Sequence, residues 1–204
     1  MQSRFASLRW TLGALIGGAC LALATPGVAL AHSGFGDGAG FIQGALHPWA
    51  GLDHLFAMIA VGLWAGQRGG QAVWVVPATF LAVMTMGGAI GIAGISLPGV
   101  EAAIVASVLV LGLAVAGAIR MPLAASCVLV GAFALFHGHA HGAEMPATAS
   151  GLSFAGGFLA ATACLQALGV GLAMASQRRG STAAVRMAGA GIAACGLGFC
   201  LLLL

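Results

Sequence analysis

Six long apolar segments, at about 40–66, 72–93, 100–119, 122–143, 152–176 and 183–204, leave this chain little choice of fold. Each approaches the roughly 20 residues a helix needs to cross about 30 Å of hydrocarbon. Only 5% of the 204 residues are charged and 61% are hydrophobic, where a soluble domain carries about 25% charged residues. A folded surface could not be covered with polar groups from such a composition. The expected fold is all-α, a polytopic membrane protein, with its 34 glycines letting helices pack closely. The connections are short and hold the breakers: Gly69-Gly70, Pro98-Gly99, Arg120 to Pro122, Pro146, and Gln177 to Gly180.

The N-terminus has the pattern of a targeting segment. Arg4 and Arg9 precede a short apolar core from Leu12 to Leu23, then Pro26 and Gly27, then Ala29-Leu30-Ala31 before His32. Residues 1–31 are therefore expected to be a cleaved signal peptide, in preference to an uncleaved first helix, and residues 32–204 a six-helix transmembrane domain. With a mature N-terminus outside, Arg68, Arg120, Arg178, Arg179 and Arg186 fall at cytoplasmic ends, and Asp37, Glu101 and Glu144 at the opposite ends. This positive-inside pattern predicts a bacterial inner-membrane protein with both mature termini periplasmic. The arginines are too dispersed for nucleic-acid binding. The cysteines, Cys20, Cys127, Cys164, Cys195 and Cys200, show no CxxC spacing and sit in apolar runs, so neither a disulfide framework nor a thiolate site is indicated.

Two polar runs interrupt the hydrocarbon-seeking segments. His47, Asp53 and His54 lie in the first with Pro48, Gly51 and Met58; His137, His139, His141 and Glu144 close the fourth. They hold five of the six histidines and two of the four acids. An ionisable side chain at bilayer depth costs about 2.5–3.5 kcal/mol on insertion scales, so such residues mark a pathway or a site. On a regular helix His47 and His54, seven apart, share a face with Met58, while Asp53 points away. Pro48 and Gly51 loosen that helix, and a kink there would swing Asp53 towards the histidines. His137, His141 and Glu144, at i, i+4 and i+7, form one stripe, with His139 facing away. Imidazole and carboxylate in this arrangement suit a divalent metal such as nickel, cobalt, zinc or copper(II). His32, as a mature N-terminus, would add an amine and an imidazole. Similar depths predict that the two runs form one descending path. The first segment of each three-segment half carries one of them, which suits an inverted repeat.

The run His47-Pro48-x-x-Gly51-x-Asp53-His54-x-x-x-Met58-x-x-Val61-Gly62-x-x-Ala65 resembles the signature of the HupE/UreJ family of hydrogenase and urease accessory proteins. Phe136-His137-Gly138-x-Ala140-His141-Gly142-x-Glu144 resembles that family's second motif. The resemblance implies nickel uptake for metalloenzyme maturation, some relatives being linked to cobalt, and implies that His47, Asp53, His54, Met58, His137, His141 and Glu144 handle the metal. The expected function is a secondary-type permease or facilitator for a divalent metal, Ni2+ before Co2+ or Zn2+. The ion is cargo and no prosthetic group is expected; partners are the bilayer and downstream nickel chaperones. The alternatives are a membrane chaperone or sensor that binds metal without moving it, and an intramembrane metal-dependent enzyme. No HExxH helix supports the enzyme, and no GxxxxGK[ST] motif supports ATP hydrolysis.

Overall fold

The computed structural model describes residues 37–145 and 151–203, and in them the chain is entirely helical. The helices are α1 (Asp37–Leu46), α2 (Leu52–Arg68), α3 (Ala72–Ile92), α4 (Val100–Ala116), α5 (Leu123–Ala143), α6 (Gly151–Arg178) and α7 (Ala183–Leu202). The expected signal peptide, His32 and Pro146 lie outside the described residues.

Four of the seven helices, α3, α5, α6 and α7, are each long and apolar enough to cross a membrane. Another such span requires α1 and α2 to be taken together, although they meet at 82°. The first apolar segment is thus not one regular helix. A 3₁₀ turn, His47–Trp49, carries Pro48, and Gly51 caps α2 from an extended backbone at φ −111° and ψ 117°. Proline supplies no N–H, which favours ending α1 at this turn. The expected kink is a full break, and the regular-helix face shared by His47 and His54 does not form.

α4 is also shorter than the segment 100–119 suggested. It has 17 residues and stops at Ala116, where Ala118 adopts φ 48° and turns the chain back. The remaining connections behave as their composition predicts: Gly69, Gly70, Gly99 and Gly180 all have positive φ, which glycine adopts without strain.

Large apolar side chains point outwards, among them Trp74, Val128, Leu152 and Met187, each at least 73% exposed. Lipid, not water, is the solvent that suits such a surface. Inside, small residues set the spacing. α3 and α5 pack so closely that a β-carbon at Gly138 would overlap the Met84 carbonyl, and one at Gly142 the Gly88 carbonyl. Gly62 on α2 meets the Gln166 backbone of α6 in the same way. Gly112 on α4 lies against Ala193 of α7. α2 is the central helix, packed on α3, α4, α6 and α7, and Ala57, Met58, Ala60, Val61, Trp64 and Ala65 along it are fully buried.

The closest partnerships are α1 and α2 with α6, α3 with α5, and α4 with α7. Exchanging the first three apolar segments for the last three maps the first partnership onto the second and the third onto itself. That is the pairing expected of two halves related by a two-fold. The correspondence is not complete, because α2 also packs on α4 with no comparable α5–α7 contact among the described residues.

Candidate functional site

The break before α2 and the close approach of α5 bring the two polar runs together. His54 stands in the first turn of α2, His47 in the 3₁₀ turn just before it, and His137 and His141 in the last two turns of α5. Their rings form a continuous series. His137 lies 4.8 Å from His54 between ring centroids, His54 lies 4.2 Å from His141, and His141 lies 4.8 Å from His47. Glu144 caps the end of α5, its carboxylate 3.9 Å from His47 Nε2. Helix α6 closes one side with aromatic rings: Phe158 is 4.1 Å from His141, and Phe154 is 5.4 Å from His47.

What each nitrogen does follows from its partners. Asp53 Oδ1 accepts hydrogen bonds from the His54 backbone N–H and from His54 Nδ1, each at 2.8 Å. A carboxylate at a helix N-terminus satisfies an orphan N–H and complements the helix dipole. It also assigns the His54 ring proton to Nδ1, leaving Nε2 with a lone pair. Gly51 makes room for this pair, since a β-carbon there would sit 2.8 Å from Asp53 Oδ1 and 3.1 Å from His54 Nδ1.

His137 is fixed from another helix. Ser107 on α4 lies 2.8 Å from His137 Nε2, and its hydroxyl donates to the Ile104 carbonyl at 2.6 Å. A hydroxyl has one proton to give, so Ser107 must accept from His137 Nε2–H. The free lone pair of His137 is therefore on Nδ1. His54 Nε2, His137 Nδ1 and both nitrogens of His141 are buried without a hydrogen-bond partner. Leaving a buried polar atom unsatisfied costs about 1–3 kcal/mol, so several in one cluster need a reason.

The cluster divides into two overlapping trios. His47, His141 and Glu144 place their ligating atoms within 4.8 Å of one another, and the exposed Glu144 sets this trio at the rim. The inner trio is defined by ring contacts, His54 lying 4.2 Å from His141 and 4.8 Å from the fully buried His137, and its ligating atoms are not gathered as closely as those at the rim. His141 belongs to both. Imidazole nitrogens with a carboxylate are the donor set of borderline divalent metals, and a second group holding the far nitrogen of each ligand is the usual support for such sites.

The structure gathers six of the eight sequence-derived candidates in or against the cluster: His47, Asp53, His54, His137, His141 and Glu144. Asp53 stands behind His54 as its hydrogen-bond partner. Met58 lies one turn below His54, fully buried, and its sulfur accepts a hydrogen bond from Thr162 at 3.4 Å. His139 faces away, with Nε2 donating to the Ile95 carbonyl at 2.7 Å. Sequence reasoning missed Ser107, Phe158 and Thr162. Ser107 had one available signal, as the lone polar side chain of α4 beyond Glu101.

Apolar helices enclosing a buried imidazole cluster define a helical membrane protein with an internal polar site. The family model described as HupE / UreJ protein matches residues 20–199. The chain is 46% identical over 175 residues to Protein HupE of Rhizobium leguminosarum bv. viciae, an alignment covering 86% of this chain and 91% of that protein. This chain belongs to the HupE/UreJ family. No solved structure matches it.

Proposed function

We propose that this protein is a permease that admits a divalent transition-metal ion, nickel before cobalt or zinc, from the periplasm to the cytoplasm. The observation that carries the reading is the run of buried, unpartnered nitrogens on His54, His137 and His141 beside the His47–Glu144 rim. Membership of the HupE/UreJ family supports it, as does the motif resemblance, which implies supply of nickel to hydrogenase or urease maturation.

In this reading Glu144 and His47 receive the hydrated ion and exchange part of its water for an oxygen and a nitrogen. His141 then passes it from the outer to the inner trio, because it contributes to both. His54 Nε2 and His137 Nδ1 complete the inner set. The carboxylates of Glu144 and Asp53 offset the two charges of the ion, the second through the His54 ring. Sharing one ligand between two incomplete sets keeps each from closing into a tight tetrahedron, which favours release. Met58 and Thr162 line the next turn inwards.

The proposed topology is six spans in the inner membrane, with α1 and α2 forming the first and α4 the third. Residues 32–204 form the mature domain after cleavage of residues 1–31, with both mature termini periplasmic. We propose no catalytic step. Sealed proteoliposomes containing the full chain should accumulate nickel saturably, whereas protein-free vesicles should not. Stoichiometric nickel binding without accumulation would instead favour a membrane chaperone or sensor.

A further inference from the structure

A second polar cavity lies about 20 Å from the histidines, at the other end of α2, given fourteen residues from His54 to Arg68 at 1.5 Å each. It has a volume of about 340 Å³ and is bounded by α2, α6, α7 and the α4–α5 connection. Arg68, Arg120 and Arg186 all line it, and no acidic side chain does. Like charges at one end of a membrane protein follow from insertion rules, but those rules do not require three arginines to share a cavity.

The cavity is built, not incidental. The connection after α4 is fastened from three sides. Trp64 Nε1 donates to the Ile119 carbonyl at 2.8 Å, Arg68 Nη1 donates to the Met121 carbonyl at 2.6 Å, and Arg186 Nε donates to the Ala116 carbonyl at 2.8 Å. Arg68 Nη1 also donates to Ser126 Oγ at 2.5 Å, and together these bonds still leave most of the guanidinium donors of Arg68, Arg120 and Arg186 unused. Arg68 Nε is buried without a partner, and Arg120 makes no hydrogen bond or ion pair among the described residues. Each guanidinium carries five N–H donors in a planar fork that matches a phosphate oxygen pair. Three guanidiniums that line one cavity with spare donors and no carboxylate suit an anion.

We propose that this cavity binds a phosphate-bearing anion through Arg68, Arg120 and Arg186. The phosphate can belong to the headgroup of an anionic phospholipid, which basic pockets between transmembrane helices recognise, or to a free phosphate. The site stands apart from the metal pathway, so the two readings succeed or fail separately.

The test uses the full chain in neutral detergent at constant ionic strength set with chloride. One arm titrates phosphatidylglycerol, with phosphatidylcholine as control, and the other titrates inorganic phosphate. The thermal midpoint and native mass spectrometry report binding. Phosphatidylglycerol should raise the midpoint and remain bound where phosphatidylcholine does not, and Arg120→Gln and Arg186→Gln should each weaken it at least tenfold. The same arginine dependence with inorganic phosphate would identify a free anion as sufficient. Absence of binding above control in both arms would overturn the proposal. Arg120→Gln removes no hydrogen bond or ion pair made among the described residues, so it leaves the polar fastening of the connection intact. Wild-type anion affinity in that variant would also overturn the proposal.

Discussion

The histidines of the cluster differ in what holds their second nitrogen, and this decides which substitutions are informative. His54 is held by a carboxylate, His137 by a serine hydroxyl, and His141 by nothing polar. Ser107→Ala removes the acceptor that His137 Nε2–H has among the described residues and frees the ring to present the wrong nitrogen. Asp53→Asn keeps the size of the side chain but loses its charge. Each is expected to lower nickel affinity about 10- to 100-fold, the usual effect of losing a group behind a metal ligand, as read by equilibrium dialysis. Unchanged affinity in both variants would remove these residues from the account. Only neutral imidazole offers a lone pair, so a proton competes with the metal for each ring. Acidification should therefore weaken nickel binding, and return to neutral pH should restore it. Binding unchanged at every pH at which the protein stays folded would argue against imidazole ligands. At this scale the sequence was informative where spacing is local: His137 and His141, one turn apart on α5, do share a face. Ser107 and Phe158 could not be found in that way. They reach the site from helices distant in sequence, and their own helices carry no periodic signal pointing to it.

The elements hold the cluster through two devices, a broken helix and a close helix pair. Pro48 and Gly51 announced the break, but not that it would turn the chain by 82°. That angle depends on how α1 and α2 both pack on α6, which local composition does not encode. The early end of α4 was likewise hidden, because Ala118 takes a positive φ that alanine seldom adopts. The α3–α5 contact is the more sensitive device, since His137 and His141 flank Gly138 on α5. In Gly138→Ala the new methyl would meet the Met84 carbonyl and the Gly88 nitrogen, neither of which can rotate away. Overpacking of this kind costs about 1–3 kcal/mol. The variant should unfold at a lower temperature in detergent and bind nickel more weakly. A wild-type midpoint would mean that α3 and α5 are not so tightly apposed.

Across the whole molecule, the site lies where the break before α2 meets the end of α5, one supplying His47 and His54 and the other His137, His141 and Glu144. The all-helical, apolar character of the chain was legible from the start, since it follows from solvation in lipid. The pairing of helices was not, because apolar surfaces resemble one another and the contacts that fix which faces meet, such as glycine against backbone, join residues distant in sequence. The orientation argued from the arginines is tested by fusion. A periplasm-active reporter at the C-terminal end should be active, one after Arg179 should be silent, and the reverse pattern would invert the proposed direction of uptake. The most direct test of the central claim uses His141, the proposed ligand shared by both trios and hydrogen-bonded to neither Asp53 nor Ser107. Nickel accumulation should be measured in sealed proteoliposomes carrying equal amounts of wild-type and His141→Ala protein with matched unfolding midpoints. Wild-type vesicles should fill and His141→Ala vesicles should stay at the level of empty ones, whereas accumulation at the wild-type rate by His141→Ala would contradict a path through this cluster.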